Sequence, residues 1–297
     1  MTNLEIETFL AVCRHKSISK AAAEFYISQS SVSTRLRTLE NELGCTLFLR
    51  HKGSREVALT AAGERFYHLS LQYQEIIRQM MTLDAKTQRL KVASINSVGT
   101  YLLPPVYERF IQTYPHIQLE LQDTETELAS RNILLGNTDL ALTARRRDTN
   151  EIQAIPVISE PMVLICSTDP VNQSPADLKT LSARDEVYTE WFDEYVQWHQ
   201  NAFGTDAVPR IRVEITGQLP LFAARKGCWA IVPRSVAEGL AASPGIQQRP
   251  MSFQVPNRIV YALCRRSKEI PEHISLFLEC LRQELSVRDT HGNTLLI

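Results

Sequence analysis

At roughly 150 residues per domain, a chain of 297 residues suits two domains or a small module joined to a larger one, and it excludes a lone small binding module. With 44% hydrophobic and 22% charged residues, and only 11 Gly and 14 Pro, the composition is that of a globular protein with a core to bury, not of a disordered or fibrous one. The 32 Lys and Arg against 33 Asp and Glu leave a net charge of −1, which excludes a uniformly basic nucleic-acid coat and a polyanionic surface.

Position redistributes that charge. Residues 1–89 hold 12 Lys or Arg against 9 Asp or Glu, whereas the remaining 208 residues hold 20 against 24. Residues 28–55 concentrate five basic side chains (Arg35, Arg37, Arg50, Lys52, Arg55) against two acidic ones (Glu40, Glu42), a candidate phosphate-facing patch. The opening MTNLEIETFLAVCRHKS has early acidic residues and no apolar run of signal-peptide kind. No stretch approaches the ~20 apolar residues of a membrane span, so a cytoplasmic protein is expected. The six cysteines (Cys13, Cys45, Cys166, Cys228, Cys264, Cys280) show neither CxxC nor metal spacing. They read as reduced thiols, with a redox switch as the rival and no metal or cofactor expected.

Ile6, Phe9, Leu10 and Cys13 recur at helical spacing and predict a first helix over residues 4–16. Ser19 is expected to cap a short second helix through Phe25. After a turn at 26–28, Ser28 is expected to cap a third helix running to Leu43, with Gly44 as its stop. Val32, Leu36, Leu39 and Leu43 share the core face of this helix. The opposite face carries Gln29, Ser30, Ser33, Thr34 and Arg37: short hydrogen-bonding groups for base edges, then a guanidinium for phosphate or guanine. The bland alternative, a solvated face, is outweighed by the helix, short turn, helix arrangement and the basic hairpin beyond it. That hairpin pairs strand-like runs 46–49 and 56–59 around Arg50-His51-Lys52-Gly53-Ser54-Arg55, as a wing would.

The run SISKAAAEFYISQSSVSTRLRTLENELGCTLFLR…VALTAAGERF resembles the N-terminal domain of LysR-type transcriptional regulators over residues 17–66, through S-Q-x-x-V-S, L-E-x-x-L-G, L-F-x-R and L-T-x-A-G. The resemblance implies that Gln29, Ser30, Ser33 and Thr34 face the groove and that Arg50 to Arg55 form the wing, with Arg50, Lys52 and Arg55 as its basic contacts; the cap Ser28 and the polar-face Arg37 complete the expected DNA-binding set. Ser30 stands where the family usually has Pro and Thr34 where it usually has Arg, and Arg35 is expected to supply a phosphate contact instead.

Thr60 is the expected N-cap of a long helix through Arg89, on the order of 45 Å at ~1.5 Å per residue. Phe66, Leu69, Tyr73, Ile76, Met80 and Leu83 form a heptad seam on it, fit to pair two subunits; packing on its own domain is the alternative. Resemblance implies dimers or tetramers, and the residues do not separate them.

From Leu90 the pattern becomes α/β: strands at 90–95, 117–121 and 139–143 alternate with helices at 102–114 and 126–135. A second set begins at 162–167. It continues through 176–181, 186–188, a helix at 191–202, 212–215, 219–225 and 230–233, before a strand at 259–264 and a closing helix at 271–285. The order is similar to the family's effector-binding domain, which looks like a two-lobed periplasmic binding protein. The expected fold is therefore α/β with an all-α-rich N-terminal winged helix-turn-helix and a two-lobed C-terminal domain, joined by a long linker helix. The expected boundaries are 1–59 for the DNA-binding domain, 60–89 for the linker and 90–297 for the effector domain, with lobe one at 90–160 and 265–297 and lobe two at 161–264. One departure from the family is Lys226-Gly227-Cys228-Trp229, where a G-x-G is frequent.

Polar groups at strand ends facing a cleft suit a ligand. Asn96, Ser97, Thr100, Thr143, Arg145, Thr216 and Gln218 are the candidates, each with a plain structural role as the alternative. Tyr188, Trp191, Tyr195 and Trp198 make an aromatic stripe that reads as core, with Trp191 or Trp198 against the effector as the sharper reading. Acidic residues nearby leave the effector's charge sign open. No G-x-S-x-G, phosphate loop or H-E-x-x-H is present, so an enzyme is not expected. A stand-alone solute-binding protein is the rival, and the first sixty residues favour a DNA-binding regulator in which effector-driven lobe closure changes the angle between DNA-binding domains. The expected partners are double-stranded DNA, a small-molecule effector and further copies of the chain, with no membrane.

Overall fold

Thr2 starts the first helix, α1 (Asn3–His15), with a capping box in which its hydroxyl accepts from the Glu5 amide and the Glu5 carboxylate accepts from the Thr2 amide. The computed structural model describes residues 1–49, 57–81, 88–168, 174–287 and 293–297, which fall in two compact units, residues 1–85 and 86–297.

In the N-terminal unit α1 packs with α2 (Ile18–Glu24) and α3 (Gln29–Leu43) around Phe9, Val12, Ala21, Val32 and Leu39, all fully buried. Burying each of the larger side chains, Phe9, Val12, Val32 and Leu39, contributes about 1.5–3 kcal/mol. The cap of α2 is Ser17, not Ser19, because the Ser17 hydroxyl accepts from the Lys20 amide. Ser28 caps α3 through the Ser31 amide, and Gly44 ends it at φ 65°. A short antiparallel pair, β1 (Phe48–Leu49) and β2 (Ala58–Leu59), follows; the predicted wing tip, residues 50–56, lies outside the described residues. Buried Glu40 fixes the approach to β1: its carboxylate accepts from the amides of Leu47 at 2.7 Å and Phe48 at 3.3 Å. The Glu of L-E-x-x-L-G thus joins α3 to the hairpin.

Thr60 caps α4 (Ala61–Met81) through the Gly63 amide. Gly63 sits so close to Leu47 that a Cβ there would lie 2.1 Å from the Leu47 carbonyl oxygen, so only Gly permits this approach. The helix does not reach Arg89, since β3 (Gln88–Ser94) has begun there. Its heptad seam is also divided. Phe66 and Tyr73 pack on the unit's own core, whereas Leu69, Ile76 and Met80 are exposed; Leu83 lies outside the described residues.

The C-terminal unit is built on a six-stranded sheet ordered β13-β6-β12-β5-β3-β4, from β3, β4 (Ile117–Asp123), β5 (Leu140–Thr143), β6 (Ile152–Glu160), β12 (Arg258–Arg265) and β13 (Thr294–Leu295). β3 runs parallel to β4 and β5, and β12 antiparallel to β5 and β6. Between β3 and β4 the chain forms two helices, α5 (Asn96–Tyr101) and α6 (Pro104–Thr113), instead of one, because Pro104-Pro105 open a new helix. α6 and α11 (Glu272–Ser286) cover one face of the sheet, their contact marked by Phe110 and Phe277 rings 5.4 Å apart. α7 (Thr126–Leu134) covers the other through Ala129 and Ile133.

The second lobe has an antiparallel three-stranded sheet, β10-β7-β11, from β7 (Met162–Ser167), β10 (Trp229–Pro233) and β11 (Ile246–Arg249). A parallel pair, β8 (Val187–Tyr188) and β9 (Ile211–Arg212), and the helices α8 (Asp193–Phe203), α9 (Leu219–Ala223) and α10 (Arg234–Gly239) complete it. Tyr188 and Trp191 precede α8, so the aromatic stripe is not one helix face. Tyr195 is wholly buried, and Trp198 stacks on Tyr195 and Phe253 within the lobe's core.

The chain crosses between lobes at Pro161, which separates β6 from β7, and again between Arg249 and Arg258. All of β12 belongs to the first sheet, so lobe one resumes at Arg258 and not at residue 265. β6 carries no predicted element because Pro156 interrupts its pattern; the proline sits beside a register shift between Val260 and Tyr261 of β12, where a strand tolerates it.

Candidate functional site

Two candidate sites, one in each unit, emerge from these elements. In the N-terminal unit the first three turns of α3 present a polar face: Ser28, Gln29, Ser30, Thr34 and Arg37 face solvent and Ser33 is half-buried. Their amphipathic partners Val32, Leu36 and Leu39 anchor the opposite face in the core, so the polar face is held rigidly at the surface. Ser28 and Ser30 hydroxyls are engaged with one another at 2.7 Å in the cap, leaving Gln29, Ser33, Thr34 and Arg37 for an external partner. Arg35 departs from expectation: it is half-buried and donates to the Thr8 hydroxyl of α1 at 3.3 Å, an internal bond within the unit. Arg50, Lys52 and Arg55 lie outside the described residues. Tyr26, in the turn before α3, was missed by sequence reasoning; it is 96% exposed at φ 54°, and no periodic pattern marks it.

In the C-terminal unit a cavity of about 410 Å³ opens between the lobes, within the range of small-molecule sites. Lobe one contributes the turn after β3, the β4–α7 connection and the end of β5; lobe two contributes the segments after β8 and β9. These are strand ends, where open α/β sheets bind ligands. Of the predicted residues, Asn96, Ser97, Arg145, Trp191 and Thr216 line it. Thr100 and Gln218 are exposed elsewhere, and Thr143 is fully buried with its hydroxyl donating to the Arg145 carbonyl at 2.9 Å. Sequence reasoning missed Asp123, Thr124, Glu125, Thr189, Arg212 and Glu214, because none stands at a motif or a helix periodicity.

The lobes are bridged across this cavity. Arg145 of lobe one pairs with Glu190 at 3.2 Å and Asp193 at 3.0 Å of lobe two. The Thr216 hydroxyl bonds Asn96 Oδ1. Burial raises the Tyr101 hydroxyl, and its hydrogen bond with Thr216 pulls the other way. Arg146 and Arg147 are exposed and pair at the surface with Asp148 and Glu127. The Trp191 indole donates to the Ile231 carbonyl at 2.8 Å, so its ring is what it can offer a ligand.

Beneath the cavity the two crossing strands are pinned by a buried charge cluster. Arg258, fully buried, bonds Glu160 through Nε at 2.8 Å and through Nη2, Ser97 at 2.9 Å and Ser235 at 3.2 Å. The other Glu160 oxygen accepts from the Ser235 amide at 2.9 Å. Four residues from four elements and both lobes thus meet at the hinge, and Ser97 also lines the cavity above. Deeper in lobe two, burial raises the Glu186 carboxyl against the opposing effect of His199, which lies 2.7 Å away.

Among the described residues no helix is long and apolar enough to cross a membrane. Residues 4–64 match the model of the bacterial regulatory helix-turn-helix, lysR family, and residues 84–286 match the LysR substrate binding domain. The uncharacterized HTH-type regulator YcgK of Bacillus subtilis is 30% identical over 57% of this chain and 53% of its own. The dual regulator OxyR of Escherichia coli is 27% identical over 56% and 55%. The chain thus spans about half the length of the curated relatives it matches. Among solved structures, full-length CbnR in complex with its target DNA shares the fold at TM-score 0.69 and 20% identity, over 95% of this chain and 99% of that one. Full-length OxyR from Pseudomonas aeruginosa does so at 0.65 and 22%, over 95% of each. The two matched models cover most of the chain, the helix-turn-helix first and the substrate binding domain after it, and the chain belongs to the LysR family.

Proposed function

We propose that the protein is a sequence-specific DNA-binding transcriptional regulator whose activity is set by a small molecule held between the two lobes. The polar, acid-free face over the first three turns of α3 carries this reading: Gln29, Ser33 and Thr34 read base edges in a major groove and Arg37 contacts phosphate or guanine. Ser28 and Ser30 serve that turn as cap and backbone-proximal contacts, and Arg50, Lys52 and Arg55 supply wing contacts to the flanking backbone. Residues 1–59 form the reader, α4 the linker, and the two lobes are 90–160 with 258–297 and 161–257. The exposed stripe of Leu69, Ile76 and Met80 pairs α4 with a second copy, giving two readers for a two-fold site. A chromosome-bound role puts the protein in the cytoplasm, and no catalytic activity is needed for it.

Peroxide sensing is the second reading, favoured by relatives named hydrogen peroxide-inducible genes activators. Burial pushes the thiols of Cys13, Cys166, Cys264 and Cys280 up, away from the thiolate such chemistry requires, so this reading would have to rest on the exposed Cys45, whereas the small-molecule reading has a cavity. The test is recovery of genomic fragments bound by the full chain, followed by footprinting. A protected two-fold site is expected, and Gln29→Ala or Ser33→Ala should relax preference at single positions by about 1–3 kcal/mol. Binding with no sequence preference would overturn the proposal.

A further inference from the structure

We propose that the effector is an organic cation, a small molecule bearing an ammonium or guanidinium group. This rests on the reading of the cavity between the lobes as the effector site.

Five carboxylates line the cavity, those of Asp123, Glu125, Glu127, Glu190 and Glu214, against two guanidiniums, those of Arg145 and Arg212. Both guanidiniums are engaged already: Arg145 holds Glu190 and Asp193, and Arg212 pairs with Glu190 at 3.6 Å while lying 4.8 Å from the Tyr188 ring centre. Glu127 is taken by Arg147. Asp123, Glu125 and Glu214 have no ion-pair partner among the described residues. An anion entering here would meet this excess and would have to displace Glu190 from both guanidiniums. A cation would meet three exposed carboxylates that no basic side chain among the described residues has already paired.

The helix end at the cavity argues the same way. α7 points its N-terminus there, an electropositive end that ordinarily favours anions. Glu125 at its cap and Glu127 in its first turn already supply that negative charge. Metal is disfavoured as the cation, because among the described residues no three carboxylate, imidazole or thiol groups gather closely enough to hold one ion. Carboxylates spread around a cavity of this size suit a molecule that carries its charge on an organic frame.

An independent observation points to a ligand in this place. Thr189 lines the cavity, is only 5% exposed, and its hydroxyl is buried without a hydrogen-bond partner. Buried hydroxyls are rarely left so, and an ammonium or guanidinium N–H donating to Thr189 Oγ1 would satisfy it. Trp191, its indole N–H committed to Ile231, can offer such a ligand its ring, the surface that attracts cations.

The experiment uses the full chain, with thermal unfolding and calorimetric titration against 1,4-diaminobutane and agmatine as cations and succinate and benzoate as anions. The cations should bind and raise the unfolding midpoint. Glu214→Gln and Asp123→Asn, both at exposed positions, should each weaken that binding about two- to fivefold, and Thr189→Val should weaken it further. Absence of binding by either cation overturns the inference. Anion binding alone, abolished by Thr189→Trp, overturns the charge assignment while leaving the cavity as the effector site. Binding of any probe that survives Thr189→Trp puts the effector elsewhere and overturns both.

Discussion

Arg258→Met would leave Glu160 as a buried carboxylate at the hinge. In the parent structure Arg258 and Glu160 are 0% and 1% exposed as side chains. Five hydrogen bonds satisfy the pair and its two serines. The substitution removes four of these bonds, all that Arg258 makes, and leaves the carboxylate with the Ser235 amide alone. Breaking a buried pair from one side costs about 3–5 kcal/mol, because the orphaned charge stays desolvated. Glu160→Gln leaves the opposite orphan, a guanidinium, and should cost a similar amount. The double replacement Arg258→Met with Glu160→Leu removes both charges and should lie nearer the parent than either single, since a buried ion pair is worth little net against apolar residues of similar size. Urea unfolding followed by tryptophan fluorescence is a suitable assay, because Trp191, Trp198 and Trp229 are all in lobe two. A loss below about 1 kcal/mol in Arg258→Met, or a double variant as unstable as the sum of the singles, would refute the reasoning: the carboxylate would then be reached by water and the cluster would not pin the crossing strands.

Ile76→Asp, at a position 49% exposed on α4, should dissociate the oligomer without changing helix content; light scattering that still shows the parental size would remove the stripe from the interface. Gly63→Ala places a Cβ 2.1 Å from the Leu47 carbonyl oxygen and should destabilise the N-terminal unit by about 1–3 kcal/mol or more, read from its unfolding midpoint; an unchanged midpoint would mean that α4 does not approach β1 so closely. Burial raises the Cys13 thiol from 9.0 to about 12. Its folded pKa is above the unfolded value, so its stabilising contribution is complete below about pH 9 and is lost as pH rises toward 12. Alkylation at pH 8 should therefore spare Cys13 and modify exposed Cys45 first; rapid labelling of Cys13 in the folded protein would contradict its burial.

Local chemistry made much of this protein legible in its sequence. The cap Ser28, the stop Gly44 and the apolar rows Val32, Leu36 and Leu39 fixed α3 and hence its polar face, because caps and periodicity act within a few residues. Family motifs then ordered reader, linker and sensor. Tertiary packing decided what those signals do not encode. It split the seam of α4, since Phe66 and Tyr73 had a nearer core to fill, and it turned Arg35 onto Thr8. It also assigned Glu40 to the amides of Leu47 and Phe48. The cavity depended on it most: Asp123, Glu190 and Glu214 come from three distant segments, and only the closing of two sheets across a hinge brings their charges to one place. Net charge along the sequence pointed to an acidic C-terminal unit; Arg145, pairing with Glu190 and Asp193 across the lobes, and Arg212, pairing with Glu190 within lobe two, both spend their charge on the same short segment and, among the described residues, leave Asp123, Glu125 and Glu214 unpaired at the cavity.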